Sequence, residues 1–283
     1  MTQQLDLDDY KQRIVDLYNR RSHNYDDSEW HLKICHRLLE YSQIDSEQHI
    51  LDIGTGTGHL AIASAEIVGA RGKVIGVDIS AQMLDIARNK VKALGLSNVE
   101  LQLADAETLY YQANSFDRIV CANTFPWIED KQATLRVWHQ FLKPGEIIAI
   151  HTPADTAYIG QVILRSVLER YGINLEPSNR IGSIENCKKL FANAGFEAID
   201  IKTEQHGSYV SFDSLKAQWE GLISFSYHSK SEEFLSQLAS IPLIEAKAEF
   251  ETKLEALQTE QGIWDDLTTL YILGRKAEIN QLV

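Results

Sequence analysis

The seven residues Asp52-Ile53-Gly54-Thr55-Gly56-Thr57-Gly58 follow the apolar run His49-Ile50-Leu51 and precede a helix-forming segment. A short strand, a glycine turn and a helix in that order begin a βαβ unit, whose ligands bind at the carboxyl end of the strand. Three alternating glycines let the backbone turn tightly and come close to a ligand. Asp52 at the strand end is ill suited to a pyrophosphate and well suited to a ligand bearing an ammonium group. The spacing also departs from the dinucleotide pattern G-x-G-x-x-G, because the position three after Gly56 is His59. The loop therefore predicts a nucleoside ligand with a cationic amino-acid portion.

Beyond the loop the chain keeps the same rhythm. Leu60, Ala63, Ile67 and Val68 suit one face of a helix; Lys73 to Ile79 reads as a second strand with Asp78 at its end. Ser80 can cap a helix whose Leu84, Ala87, Val91 and Leu94 form an apolar stripe closed by Gly95. Val99 to Leu103 is a third strand leading to Asp105, and Phe116 to Ala122 a fourth. Leu135, Trp138 and Leu142 line the next helix, and Pro144-Gly145 turns the chain into a fifth strand, Glu146 to Ile150. Such alternation predicts an α/β fold: a Rossmann-like, doubly wound, mostly parallel sheet.

Residues 1–45 read as an N-terminal helical lid, with Ile14, Leu17 and Tyr18, then Ile34, Leu38 and Leu39, at helical spacing. The cofactor-binding core is placed at 46–155. Residues 156–283 are read as helical cap insertions plus the last two strands of the sheet, Phe196 to Thr203 and Leu267 to Leu273. Helices are expected at Tyr158 to Tyr171, Ile184 to Ala194, around Leu215, Trp219, Leu222 and Ile223, and over 231–258 with a break near Pro242. The lid and the insertions are expected to roof a substrate pocket.

Acids stand at successive strand ends. Asp78 lies 24 positions after Gly54, close to the spacing of a carboxylate that accepts from both ribose hydroxyls. Asp105 is placed to accept from an adenine amino group, with Ala106 leaving room for the ring, and Ile79 and Met83 can sandwich it. A glycine turn is often only a tight connection and a strand-end Asp only a helix cap, but the combination outweighs those readings.

These segments resemble the class I S-adenosylmethionine-dependent methyltransferases, in LDIGTGTGHLAI (Leu51 to Ile62), KVIGVDISAQMLDIAR (Lys73 to Arg88), LADAETL (Leu103 to Leu109), FDRIVCANTFPWIED (Phe116 to Asp130) and LKPGEIIAI (Leu142 to Ile150). The chain is most similar to the ubiquinone/menaquinone-biosynthesis type, which methylates small molecules. The resemblance implies S-adenosyl-L-methionine as cofactor. Asp52 and the loop Gly54, Thr55, Gly56 and Gly58 would hold its methionine portion, Asp78 the ribose, and Asp105 with Ala106 the adenine. Asn123 would lie beside the sulfonium, and Tyr18 and Tyr25 would close over the cofactor.

Methyl transfer needs alignment and exclusion of water, and a base only when the nucleophile arrives protonated. The candidates are His151 at the end of the fifth strand and His23 with Tyr25; His206 and His228 are weaker. For His151, a histidine that merely bonds loop backbone is at least as good a reading. Trp127, Tyr158, Tyr209 and Trp219 could wall an apolar substrate, although aromatics at such spacing more often form core. His31 and Cys35 lie one helical turn apart, with His36 adjacent, yet two such ligands make a weak metal signal, and no metal is assigned.

A net charge of -13 and the departure of Asn123-Thr-Phe-Pro-Trp127 from N-P-P-[YFW] tell against nucleic acid. No run reaches membrane-spanning length, and three scattered cysteines with a polar N-terminus point to a cytoplasmic protein. A small-molecule substrate is expected, and a homodimer is left open. Two alternatives stay open at this point: an NAD-dependent oxidoreductase, against which Asp52, Asp105 and the missing glycine stand, and a non-catalytic cofactor-binding scaffold.

Overall fold

The computed structural model describes residues 5–173, 181–221 and 232–278. Its strands are β1 (His49–Ile53), β2 (Lys73–Asp78), β3 (Val99–Leu103), β4 (Phe116–Cys121), β5 (Leu142–Pro153), β6 (Phe196–Glu204), β7 (Gly207–Val210), β8 (Ile263–Asp266) and β9 (Thr269–Lys276). Seven form one sheet in the order β3-β2-β1-β4-β5-β9-β6. The pairings of β1 with β2 and β4, of β2 with β3, and of β4 with β5 are all parallel. The chain winds outward from β1 to β3, then returns to place β4 on the other flank of β1. That reversal leaves a crevice at the carboxyl ends of β1 and β4, where open α/β sheets bind ligands.

Central strands covered on both faces read as unbroken apolar runs. Ile50, Leu51 and Ile53 of β1, Ile119 to Cys121 of β4 and Ile148 to Ile150 of β5 are all fully buried. The helices that cover the sheet start on the residues the sequence marks. Ser80 accepts from Met83 N at the head of α4 (Ala81–Ala93), and Asp130 accepts from Ala133 N at the head of α5 (Lys131–Phe141). Between these and the N-terminus lie α1 (Asp9–Arg21), the 3-10 turn Ser22–Asp27, α2 (Glu29–Ser42) and α3 (His59–Val68).

Two compact units emerge. The first comprises Met1–Thr152, Ile184–Lys202 and Leu270–Val283, and so unites the N-terminal helices, the core and the late strands β6 and β9. The second comprises Pro153–Ser183 and Thr203–Thr269. Its own core gathers Leu164, Val167 and Leu168 of helix Ile159–Arg170 with Leu215, Trp219, Phe250 and Leu254.

Three expectations need adjustment. Pro144-Gly145 does not precede β5 but lies inside it. The pairing jumps from Phe116 opposite Leu142 to Arg118 opposite Ile147, so the extra residues bulge out, with Gly145 at φ 79°. The final strand begins at Thr269 instead of Leu267, because Asp266 Oδ1 accepts from both Thr268 N and Thr268 Oγ1 and turns the chain there. The antiparallel ribbon of β7 and β8 was not anticipated. Leu222, Ile223 and His228 lie outside the described residues.

Candidate active site

The loop after β1 is held against β2. Gly54 N and Thr55 N both donate to Val77 O at 2.9 Å, and Gly58 N donates to Thr55 O. Gly54 has φ 69°, and a Cβ there would lie 1.8 Å from Thr124 Oγ1, so the loops after β1 and β4 close on each other only through glycine. Beside this junction a cavity opens at the sheet's reversal point. Tyr18, Tyr25, Gly54, Gly56, Asp78, Ile79, Met83, Asp105, Ala106 and Asn123 line it, among the sequence-derived candidates. The others do not. Gly58 is buried at the head of α3, and Thr55 and Asp52 lie beneath the loop, where Thr55 Oγ1 donates to Asp52 Oδ2 at 2.7 Å.

Asp78 forms the cavity's polar ledge. Its Oδ2 accepts from Gly56 N and its Oδ1 from Ser80 N, both at 2.8 Å. A carboxylate has about four acceptor sites, so those two bonds leave capacity for a pair of hydroxyls. Burial pushes Asp78 up to about 6 despite these bonds. Burial likewise pushes Asp52 up to about 7, with the Asp78 charge adding to the effect. Two carboxylates near one another in a dry site favour a cation or several donors.

Beyond the end of β3, Asp105 Oδ1 accepts from Glu107 N at 3.0 Å, and Asp105 Oδ2 lies 2.5 Å from Lys11 Nζ. Lys11 Nζ also lies 3.2 Å from Glu107 Oε2. Burial would lower the Lys11 ammonium, but its bonds to Asp105 and Glu107 hold it above its ordinary value. Lys11, Ile14 and Tyr18 line the cavity from one face of α1, and Glu107, Thr124, Trp127 and Ile128 complete the wall. Lys11 and Glu107 were missed as site residues. The spacing of Lys11, three before Ile14 and seven before Tyr18, is the signal that could have found it.

The roof is aromatic. The Tyr18 ring meets Trp127 edge-on at 5.8 Å and Tyr25 at 6.2 Å, and His31 stacks flat on Tyr25 at 4.3 Å. Burial raises the Tyr25 phenol well above its ordinary value, so near neutrality it stays protonated and does not serve as a base. His151 is 1% exposed on β5, its ring 5.2 Å from that of Tyr271, and His23 is exposed in the 3-10 turn. In the second unit Trp219 belongs to the core, Tyr209 packs edge-on against Trp264, His206 lies 3.3 Å from Glu204, and Tyr158 precedes a helix with φ 62°.

A family model described as a methyltransferase domain matches residues 44–195. The chain belongs to the class I S-adenosylmethionine-dependent methyltransferases. It is 31% identical over 186 residues to the demethylmenaquinone methyltransferase of Oceanobacillus iheyensis, covering 60% of this chain and 78% of that one. It is 32% identical over 150 residues to the aklanonic acid methyltransferase DauC of Streptomyces sp. strain C5, covering 52% of this chain and 68% of that one. Among solved structures, phosphoethanolamine N-methyltransferase 2 of Haemonchus contortus in complex with S-adenosyl-L-methionine shares the fold. It has a TM-score of 0.60 at 18% identity, covering 96% of this chain and 61% of that one. Membership in this family sets aside the dinucleotide oxidoreductase and the non-catalytic scaffold.

The cavity's chemistry fits the family's cofactor. It offers a carboxylate with free acceptor capacity at Asp78, a glycine loop without side chains, apolar plates at Ile79 and Met83, and a second carboxylate at Asp105. When bound, S-adenosylmethionine supplies an electrophilic methyl group on a sulfonium.

Proposed function

We propose that this methyltransferase acts on a small, partly apolar acceptor, at an oxygen, nitrogen or carbon atom, and that the residues lining the cavity hold the cofactor. Asp78 would take the ribose hydroxyls, Asp105 and Ala106 the adenine edge, Ile79 and Met83 its faces, and Gly54, Gly56 and Asn123 the methionine and sulfonium end. Asp52, Thr55 and Gly58 would act beneath the loop by fixing its shape. The observation that carries this reading is the Asp78 carboxylate, presented to the cavity by two backbone N–H groups beside a glycine loop.

Catalysis would rest on positioning and on the exclusion of water by Tyr18, Tyr25 and Trp127, the kind of contribution that reaches roughly 7–11 kcal/mol in favourable intramolecular cases. Neither His151 nor His23 lines the cavity, and Tyr25 keeps its proton. An acceptor acidic enough to ionise unaided, such as a phenol or enol, therefore suits the site. The relatives named for demethylmenaquinone and aklanonic acid support a small acceptor. The net charge of -13 supports a small molecule over nucleic acid, and the sparse, scattered cysteines support a cytoplasmic location.

The test is incubation with methyl-labelled S-adenosylmethionine and a whole-cell extract, afterwards divided into small-molecule, nucleic-acid and protein fractions. Label is expected in material that partitions into organic solvent. Label found only in nucleic acid or protein would overturn the proposal.

A further inference from the structure

Asp26 stands one residue after the cavity-lining Tyr25 and bonds three separate elements. Its Oδ1 accepts from Thr57 Oγ1 at 2.6 Å and lies 2.8 Å from His59 Nε2, while its Oδ2 lies 2.6 Å from Lys90 Nζ. Thr57 belongs to the glycine loop, His59 opens α3, and Lys90 lies on α4. One carboxylate thus joins the N-terminal turn to the loop that the cofactor must contact. Burial would raise Asp26, but its bonds from Lys90, Thr57 and His59 hold it below the usual carboxylate value.

Tyr25 sits directly above that loop, since a Cβ on Gly56 would lie 4.0 Å from Tyr25 Cε1. The rest of the N-terminal segment has its own attachments. Tyr10 donates to Trp127 O, Lys11 pairs with Asp105, and Ser80 Oγ donates to Asn19 Oδ1 at 2.6 Å. Loss of the Asp26 bonds therefore removes the polar tie between the turn carrying Tyr25 and the glycine loop, and leaves the attachments of α1 and the stacking of His31 on Tyr25 in place.

We propose that Asp26 is a positioning residue, which latches Tyr25 and the glycine loop together over the cofactor cavity and thereby slows cofactor escape. This rests on the cofactor placement proposed above. Asp26 acts through Tyr25 and Thr57 and touches no reacting atom.

The test measures dissociation of S-adenosylhomocysteine from the full chain by stopped-flow tryptophan fluorescence, with Asp78→Asn as the control for cofactor placement. Asp26→Ala is expected to speed dissociation on the order of tenfold, the effect of losing charge-assisted bonds. Asp26→Asn, which can still accept from Thr57, should fall between that variant and the unmodified chain. The KM for S-adenosylmethionine should rise while kcat changes less than about twofold, since only residence of the cofactor is affected. Combined with Tyr25→Ala, Asp26→Ala should add little, because the two act on one element. Unaltered dissociation in Asp26→Ala, with Asp78→Asn weakened, overturns the latch alone. Unaltered affinity in Asp78→Asn overturns the cofactor placement, and the latch with it. Full additivity of the double variant also overturns the latch.

Discussion

Replacing Asp52 by asparagine is expected to stabilise the protein above neutral pH and to give no such gain below about pH 4. In the unfolded chain Asp52 ionises near 3.8; in the fold, burial pushes it up to about 7. Below pH 4 the group is protonated in both states and costs nothing. As pH rises from 4 to 7 the unfolded chain gives up this proton while the folded protein keeps it, so stability falls. Above pH 7 the full cost is present. A gap of roughly three pH units at 1.36 kcal/mol each amounts to about 4 kcal/mol. Asparagine is neutral throughout, and its carbonyl oxygen can still accept from Thr55 Oγ1. Losing the second acceptor oxygen subtracts about 1 kcal/mol at every pH, which displaces the difference curve without flattening it. Asp78, itself pushed up to about 6 by burial, ionises in the same window, and its charge is among the causes that raise Asp52. Urea unfolding of both proteins at half-unit steps from pH 5 to 8 measures the difference. It should grow by about 3 kcal/mol over that range in favour of Asp52→Asn. A difference constant within about 1 kcal/mol across it would refute the assignment of a buried, high-pKa carboxylate.

Other contacts carry their own expected outcomes. Asp78→Asn should weaken S-adenosylhomocysteine more than about tenfold by calorimetry, since one acceptor oxygen of the ledge becomes a donor. In the unmodified protein, donors bound by Asp78 favour its ionised form and lower its pKa from about 6. Binding near pH 6 should therefore release protons, seen as an enthalpy that varies with the buffer's ionisation heat; an invariant enthalpy contradicts this. Gly54→Ala should cost about 2–3 kcal/mol through its left-handed φ and the clash with Thr124, and adding Thr124→Ala should recover part of it in urea melts. Lys276 Nζ donates to Leu142 O at 2.8 Å and His139 O at 3.0 Å, closing the end of α5. Lys276→Met should lower unfolding free energy by about 1–3 kcal/mol while cofactor affinity is unchanged.

Much of the cofactor crevice was legible locally. The glycine loop, the acids at or near the carboxyl ends of β1, β2 and β3, and the caps Ser80 and Asp130 depend on short stretches whose turn chemistry and period act over a few residues. The short ribbon of β7 and β8 gave no comparable signal. Each strand is four residues long, and the two are stabilised by pairing across the chain, with Gly207 required because a Cβ would meet Trp264 at 2.3 Å. Likewise, Pro144-Gly145 reads as a turn in isolation, and only the ladder with β4 absorbs it as a bulge.

The amino-acid order alone therefore determined the βαβ rhythm, the family and the strand tips on which a ligand would rest, because period and turn chemistry are local properties. Which way each acid faces was decided by packing. Asp52 turns under the loop to meet Thr55 while Asp78 turns into the cavity, since neighbouring elements determine which buried oxygens find donors. Tertiary structure alone also brought Lys11 to Asp105 across 94 residues and Asp26 to Lys90. Such ion pairs depend on how helices seat against a finished sheet, and no local pattern encodes that seating.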